Sequence, residues 1–148
     1  MLLVFAIGDR LKIDSENKIS ISSETVSLPG RRLEGAGLVG AHLPKADFTD
    51  ADLRDAYLYG ADLTGAHLIG ANLRDADLSA ANLSLADLRY AHLTGAHLIY
   101  ADLTDANLSG ADLTNAYIKQ AQLDRACGTD AKLDAGLTLK PCPFDSPK

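Results

Sequence analysis

Four histidines, His42, His67, His92 and His97, each directly follow an alanine, and thirteen aspartates accompany them between Ala36 and Leu133. Imidazole and carboxylate are the groups of divalent-metal sites and of general acid–base pairs. The serines and threonines interspersed among them complete the parts list of a nucleophilic triad. Cys127 and Cys142 could hold a disulfide, and Asn82-Leu83-Ser84 and Asn107-Leu108-Ser109 match the glycosylation pattern. Each of these chemistries except the sequon needs convergence on one point or around one pocket. Whether anything converges is decided by the backbone that carries these residues.

The backbone is written in a period of five. Alanine occupies every fifth position from Ala36 to Ala131, twenty times in succession, and leucine stands two residues after each, except at Phe48, Ile118 and Gly128. On an α-helix five residues turn through roughly 500°, so successive leucines would step by about 140° and leave no apolar face. On a straight strand an odd spacing sends alternate leucines to opposite faces. A chain that turns once per pentad, always the same way, keeps Ala and Leu on an enclosed axis. The fifth residue of the unit is Gly at 35, 40, 60, 65, 70, 95 and 110 and often Asp or Asn elsewhere, as turns require. The sequons are by-products of this repeat.

At these residues, from about Leu33 to Leu133 with a degenerate start at Val26 and Leu28, the chain resembles the pentapeptide-repeat family. That resemblance implies an all-β fold, a right-handed quadrilateral parallel β-helix of about five coils with short N- and C-terminal caps. Stacked at the usual inter-strand spacing, five coils make a rod roughly 25 Å long. Residues twenty apart then become vertical neighbours. Asp62 is expected above His42, Asp47 and Asp87 around His67, Asp112 above His92, and Asp77 below His97. His92 and His97 fall on adjacent sides and diverge around a corner. The sequence therefore predicts no metal site, no cofactor and no catalysis; it also contains no phosphate-binding loop.

Composition agrees with a narrow interior, since 47% of residues are apolar but only 5% aromatic, with no tryptophan. The net charge of −6 disfavours direct binding to nucleic acid or anionic membrane, which attract basic surfaces. The apolar run Leu2–Ile7 is too short for a bilayer span, which needs about twenty residues, and has no signal-peptide flanks.

Three regions are expected: N-terminal β segments over 1–25, including Leu11–Asp14 and the first part of Lys18–Ser27; the repeat rod over 26–133; and a capping tail over 134–148. Pro141, Pro143 and Pro147 discourage further strand addition. A Cys127–Cys142 disulfide would pin the tail and imply a periplasmic or lumenal compartment; two free thiols fit the cytoplasm, the location otherwise expected.

One side of the rod, expected to expose Val39, Tyr57, Tyr59, His97, Ile99, Tyr100 and Tyr117, is the candidate interaction face for a protein partner or a second copy. The opposing explanation is strand propensity filling exposed slots, and Leu63–Ile69 recurs as Leu93–Ile99, thirty residues on, which places Ile69 and Ile99 on opposite sides. The function expected is a non-catalytic interaction or scaffold module. Alternatives are a structural envelope or lumenal protein, and an acidic DNA mimic that binds gyrase, as some members of the resembled family do. Thirteen Asp against seven Lys plus Arg over the rod leave −6, the sign that mimicry requires. Gyrase-binding relatives, however, carry a C-terminal dimerisation helix or projecting loops. This repeat runs uninterrupted from Ala36 to Ala126, and Gly136 and Pro141 make the tail a poor helix.

Overall fold

A computed structural model describes residues Leu11–Ile13, Ile19–Ile21 and 25–143. The run Leu2–Ile7, the remaining parts of the N-terminal segments up to residue 24, and Pro147 lie outside the described residues. Strand β1 (Leu11–Ile13) pairs antiparallel with β2 (Ile19–Ile21), with Leu11 opposite Ile21.

From Ser27 onward, parallel bridges link residues twenty apart, the first Ser27 to Asp47 and the last Asp112 to Lys132. Four pentads therefore close one coil, and the chain is a four-sided parallel β-helix. Every Ala and Leu of the repeat from Ala41 to Leu113, and Phe48, is at most 5% exposed. The alanines let neighbouring sides approach at the corners while leucines fill the axis.

The backbone explains the pentad. In Ala61–Gly65, Ala61 N–H donates to Leu58 O at 3.0 Å, closing a turn. Asp62 N–H reaches Ala41 O in the preceding coil, and Leu63 and Gly65 N–H reach Asn82 O and Ser84 O in the next, all at 2.8 Å. The fifth donor, Thr64 N–H, has only the Asp62 carboxylate, Oδ1 at 3.1 Å. Since unpaired backbone donors are costly, Asp or Asn after Ala supplies the acceptor that this turn favours, although His67 and His92 take the slot without one. The same bond recurs from Thr49 to Asp47, Ser84 to Asn82, Thr104 to Asp102 and Ser109 to Asn107. Where His42 takes the slot, Pro44 follows two residues later and brings no N–H to satisfy.

From Gly30 to Asn115 each turn places the pentad's last residue at positive φ, including Asp55, Ala80, Leu85, Tyr90 and Tyr100 between 55° and 62°. A left-handed L-residue costs about 1–2 kcal/mol, so the ladders on both sides must hold it there. At Gly110 the requirement is also steric, because a Cβ would stand 2.5 Å from the Tyr90 ring of the preceding coil.

The last coil departs from the expected continuity. Helix α1 (Gln120–Leu123) replaces a corner, leaving Ala121 exposed and Ile118 half-buried. Lys119 to Leu123 are helix formers without Gly, Asp or Asn at the turn position, and the Gln122 side chain caps α1 by accepting Lys119 N–H at 3.1 Å. The same side chain repairs the broken ladder. Its Nε2 donates to Leu98 O at 2.6 Å and to Ala101 O at 2.9 Å, the second replacing the bond that the residue's own N–H would make in a regular coil.

Candidate functional site

The imidazoles and carboxylates stay spread along the rod. His42 Nδ1 meets Asp62 Oδ2 at 2.8 Å. The other expected neighbours are stacked as the register requires, Asp47 and Asp87 around His67, Asp112 above His92 and Asp77 below His97, but Asp112 Oδ2 accepts from Lys132 Nζ at 3.0 Å and the His97 ring packs on Tyr117 with centroids 4.5 Å apart. Among the described residues no His, Cys, Asp and Glu group could hold a metal ion.

The slot carboxylates act instead as turn caps, and their acidity records it. The Thr49 hydroxyl and amide hold Asp47 below the usual carboxylate range, with a smaller contribution from His67. The Thr104 hydroxyl and amide do the same for Asp102. At Asp112 the Thr114 hydroxyl outweighs burial and, with Lys132, brings the carboxyl down to about 2. Because these folded-state values lie below the unfolded value near 4, the ionised form contributes stability at neutral pH, lost as pH falls from about 4 through about 2. The thermal midpoint should fall across that window. Asp112→Asn should reduce the fall and lower the neutral-pH midpoint, since Asn keeps the turn bond, as Asn82 and Asn107 do, but gives up the carboxylate's pairing with Lys132; an unaltered acid profile in this variant would remove the assignment.

The tyrosine side is built differently. It consists of residues 37–40 and their equivalents in each later coil, and its slots read Gly37, Tyr57, Asp77, His97 and Tyr117. Four of the five thus lack the Asp or Asn that caps the turn, whereas the slots of the other three sides within the middle coils are mostly Asp or Asn. Val39, Tyr57, Tyr59, Tyr100 and Tyr117 are exposed, Tyr100 by 81%. His97 is exposed too, and Ile99 is half-buried. Asp77, Ser79 and Ala80 on the middle coil divide the side into a lower group, Val39, Tyr57 and Tyr59, and an upper group, His97, Ile99, Tyr100 and Tyr117. Asp77 and Lys119 are its only charged outward residues. Leu85 and Tyr90 are similarly exposed but stand singly at other corners.

The second feature is the C-terminal end. Cys127 and Cys142 are bonded, with Cα atoms 4.8 Å apart, and the tail crosses the last coil. Gly128 sits where the repeat calls for leucine, and a Cβ there would come within 2.8 Å of the Leu108 and Ser109 backbone and of Leu139 Cδ2. Leu139, with Leu137, packs on the core from the tail. Lys140 O accepts Gly128 N–H at 2.8 Å, taking the place of a next coil. The Gln120 amide pairs with both backbone groups of Thr138, at 2.9 and 3.0 Å. Sequence reasoning noted the missing leucine; the distant Leu139 that fills for it carries no repeat signal.

Comparison with known proteins places these features in a family. The family model for pentapeptide repeats matches eight copies, over residues 32–68, 56–95 and 91–127. A pentapeptide repeat protein from the Arabidopsis thaliana thylakoid lumen is similar at 34% identity, over 72% of this chain and 70% of that one, with a TM-score of 0.52. A pentapeptide repeat protein from Nostoc PCC 7120 is 28% identical over 75% of this chain and 83% of its own, with a TM-score of 0.37. QnrB1, a plasmid-mediated fluoroquinolone resistance protein, is 18% identical over 78% of this chain and 88% of its own, with a TM-score of 0.40. No sequence among curated proteins matches. The parallel β-helix is right-handed, as in these neighbours, and the chain belongs to the pentapeptide-repeat family.

Proposed function

We propose that this chain is a non-catalytic interaction module whose tyrosine side, Val39, Tyr57, Tyr59, His97, Ile99, Tyr100 and Tyr117, binds a protein partner. One observation carries the reading: four of five coils on this side give up the turn-capping Asp or Asn, and three of those four slots hold an aromatic ring. Local rules broken together on one surface point to a role other than folding. Depletion of charge with enrichment of tyrosine is also the composition of an interface centre.

The DNA-mimic reading has less support. Many carboxylates on the other sides cap turns, and Asp52, Asp62, Asp87 and Asp112 pair with Arg54, His42, Arg89 and Lys132, so the acidic field is partly neutralised. The Cys127–Cys142 bond favours an oxidising compartment, periplasmic or lumenal. Likeness to a thylakoid-lumen protein supports the same placement.

The test sets stability against binding. Tyr57→Asp with Tyr59→Thr restores a turn cap and should raise stability by about 0.5–1.5 kcal/mol, read by urea denaturation, while reducing capture of the partner from native lysate. If the tyrosines serve strand propensity, the double variant is no more stable and captures the same proteins.

A further inference from the structure

The tail closes the rod by lying on its last edge as a strand would. Leu137 and Leu139 are half-buried against the core and alternate with exposed Thr138 and Lys140, the period of a strand with one buried face. Its main chain is read as a strand's would be, by Gly128 N–H at Lys140 O and by the Gln120 amide at both backbone groups of Thr138. Gly128 leaves the recess that Leu139 enters. The tail's non-covalent holds are these leucines and bonds at exposed positions, including Lys140 Nζ to Asp124 O at 3.1 Å. Such holds are set against the chain entropy of ordering residues 134–143, and the disulfide, at a sequence separation of 15, adds the covalent one.

We propose that Cys127–Cys142 is the latch of a lid, and that the edge beneath is a docking site for an extended protein segment of Leu-x-Leu pattern, of which the tail is the resident example. The opening agent is a dithiol. Its thiolate attacks Sγ of Cys127, which is less buried than Cys142 at 5% exposure, forms a mixed disulfide there, and releases the Cys142 thiolate with the tail. The second thiol of the reductant then displaces Cys127. Two electrons and two protons pass to the protein, leaving two cysteine thiols and an oxidised reductant. Gly128 N–H and the recess beside it are then open to a strand from another molecule, which docks by main-chain pairing with alternate side chains inward.

The probe is a fluorescein-labelled peptide of residues 135–143 carrying serine at the position of Cys142, added to the full-length protein in three forms: oxidised, reduced with a phosphine, and with Cys127→Ser and Cys142→Ser together. Fluorescence anisotropy should show binding to the reduced and double-serine forms at least ten-fold tighter than to the oxidised form. Loss of the peptide's leucine, as Leu139→Asp, should weaken binding at least ten-fold. Hydrogen exchange over 128–142 should accelerate at least ten-fold on reduction while residues 41–113 stay protected, which also shows that the variant is folded. Tail amides that remain equally protected after reduction overturn the lid. An opened tail with no binding of the peptide, or binding indifferent to the leucine, overturns the docking edge.

Discussion

Cutting Leu83 back to alanine is expected to lower the unfolding free energy by about 3 kcal/mol, within the range for buried leucines. Leu83 has no exposed surface and stands on the axis between Leu63 and Leu103, the residues twenty before and after it. The site is badly placed to collapse. Its neighbours are held by the Asp62 to Asn82 and Asn82 to Asp102 bridges, so the coils cannot slide together without breaking ladder bonds. The cavity term should therefore add to the lost transfer energy. In a stacked array each coil supports only its neighbours, so the hole sits at the middle of the cooperative chain. Chemical denaturation checks the value; a loss below about 1 kcal/mol would mean the coils close over the gap. Leu133→Ala, at a half-buried end position, is the comparison and should cost about 1 kcal/mol.

That asymmetry between middle and ends also marks what could be read from residues alone. The inward pair of the pentad is legible because an enclosed axis accepts one pattern: Ala41 to Leu113 follow it and are buried. Part of the outward half is legible too. Ala-Asp-Leu-Thr and Ala-Asn-Leu-Ser place an acceptor two residues before a donor that the ladder leaves unpaired, and Pro44 after His42 removes the donor where the acceptor is missing. Read that way, Tyr57, His67, His92, His97 and Tyr117 stand out as departures, and Tyr57, His97 and Tyr117 share one side. Helix α1 was hidden because Ala121 and Leu123 keep the repeat's spacing while Gln120 and Gln122 alter the local preference. The register of twenty puts Asp112 over His92 and Asp77 under His97, as expected, but proximity does not decide the side-chain contact, which Lys132 and Tyr117 take. The identity of the tail as a substitute for the next coil depends on chain that folds back across fifteen residues to Cys127, a contact with no period.

Restoring the repeat at Gly128 should damage the protein. Gly128→Leu returns the residue found at most equivalent positions, yet is expected to cost about 2–3 kcal/mol, the scale of overpacking a filled site. Even the first carbon of the new side chain would come within 2.8 Å of the Leu108 carbonyl carbon, the Ser109 nitrogen and Leu139 Cδ2. Two of those atoms are backbone, held by Leu108 N–H at Cys127 O and by Gly110 N–H at Thr129 O, and cannot yield cheaply. Leu139 can move, but only by lifting the tail off the Gly128 N–H and off the Thr138 pairing with Gln120. The loss should accordingly be confined to the end: hydrogen exchange accelerates over 119–142 while the coils from Ala41 to Leu98 keep their protection. Reduction of Cys127–Cys142 should then add little in the variant, because the tail it tethers is already displaced. A variant as stable as the parent, with the tail still protected, would show that Leu139 is dispensable and that a leucine at 128 can fill the axis as its counterparts do at 88 and 108.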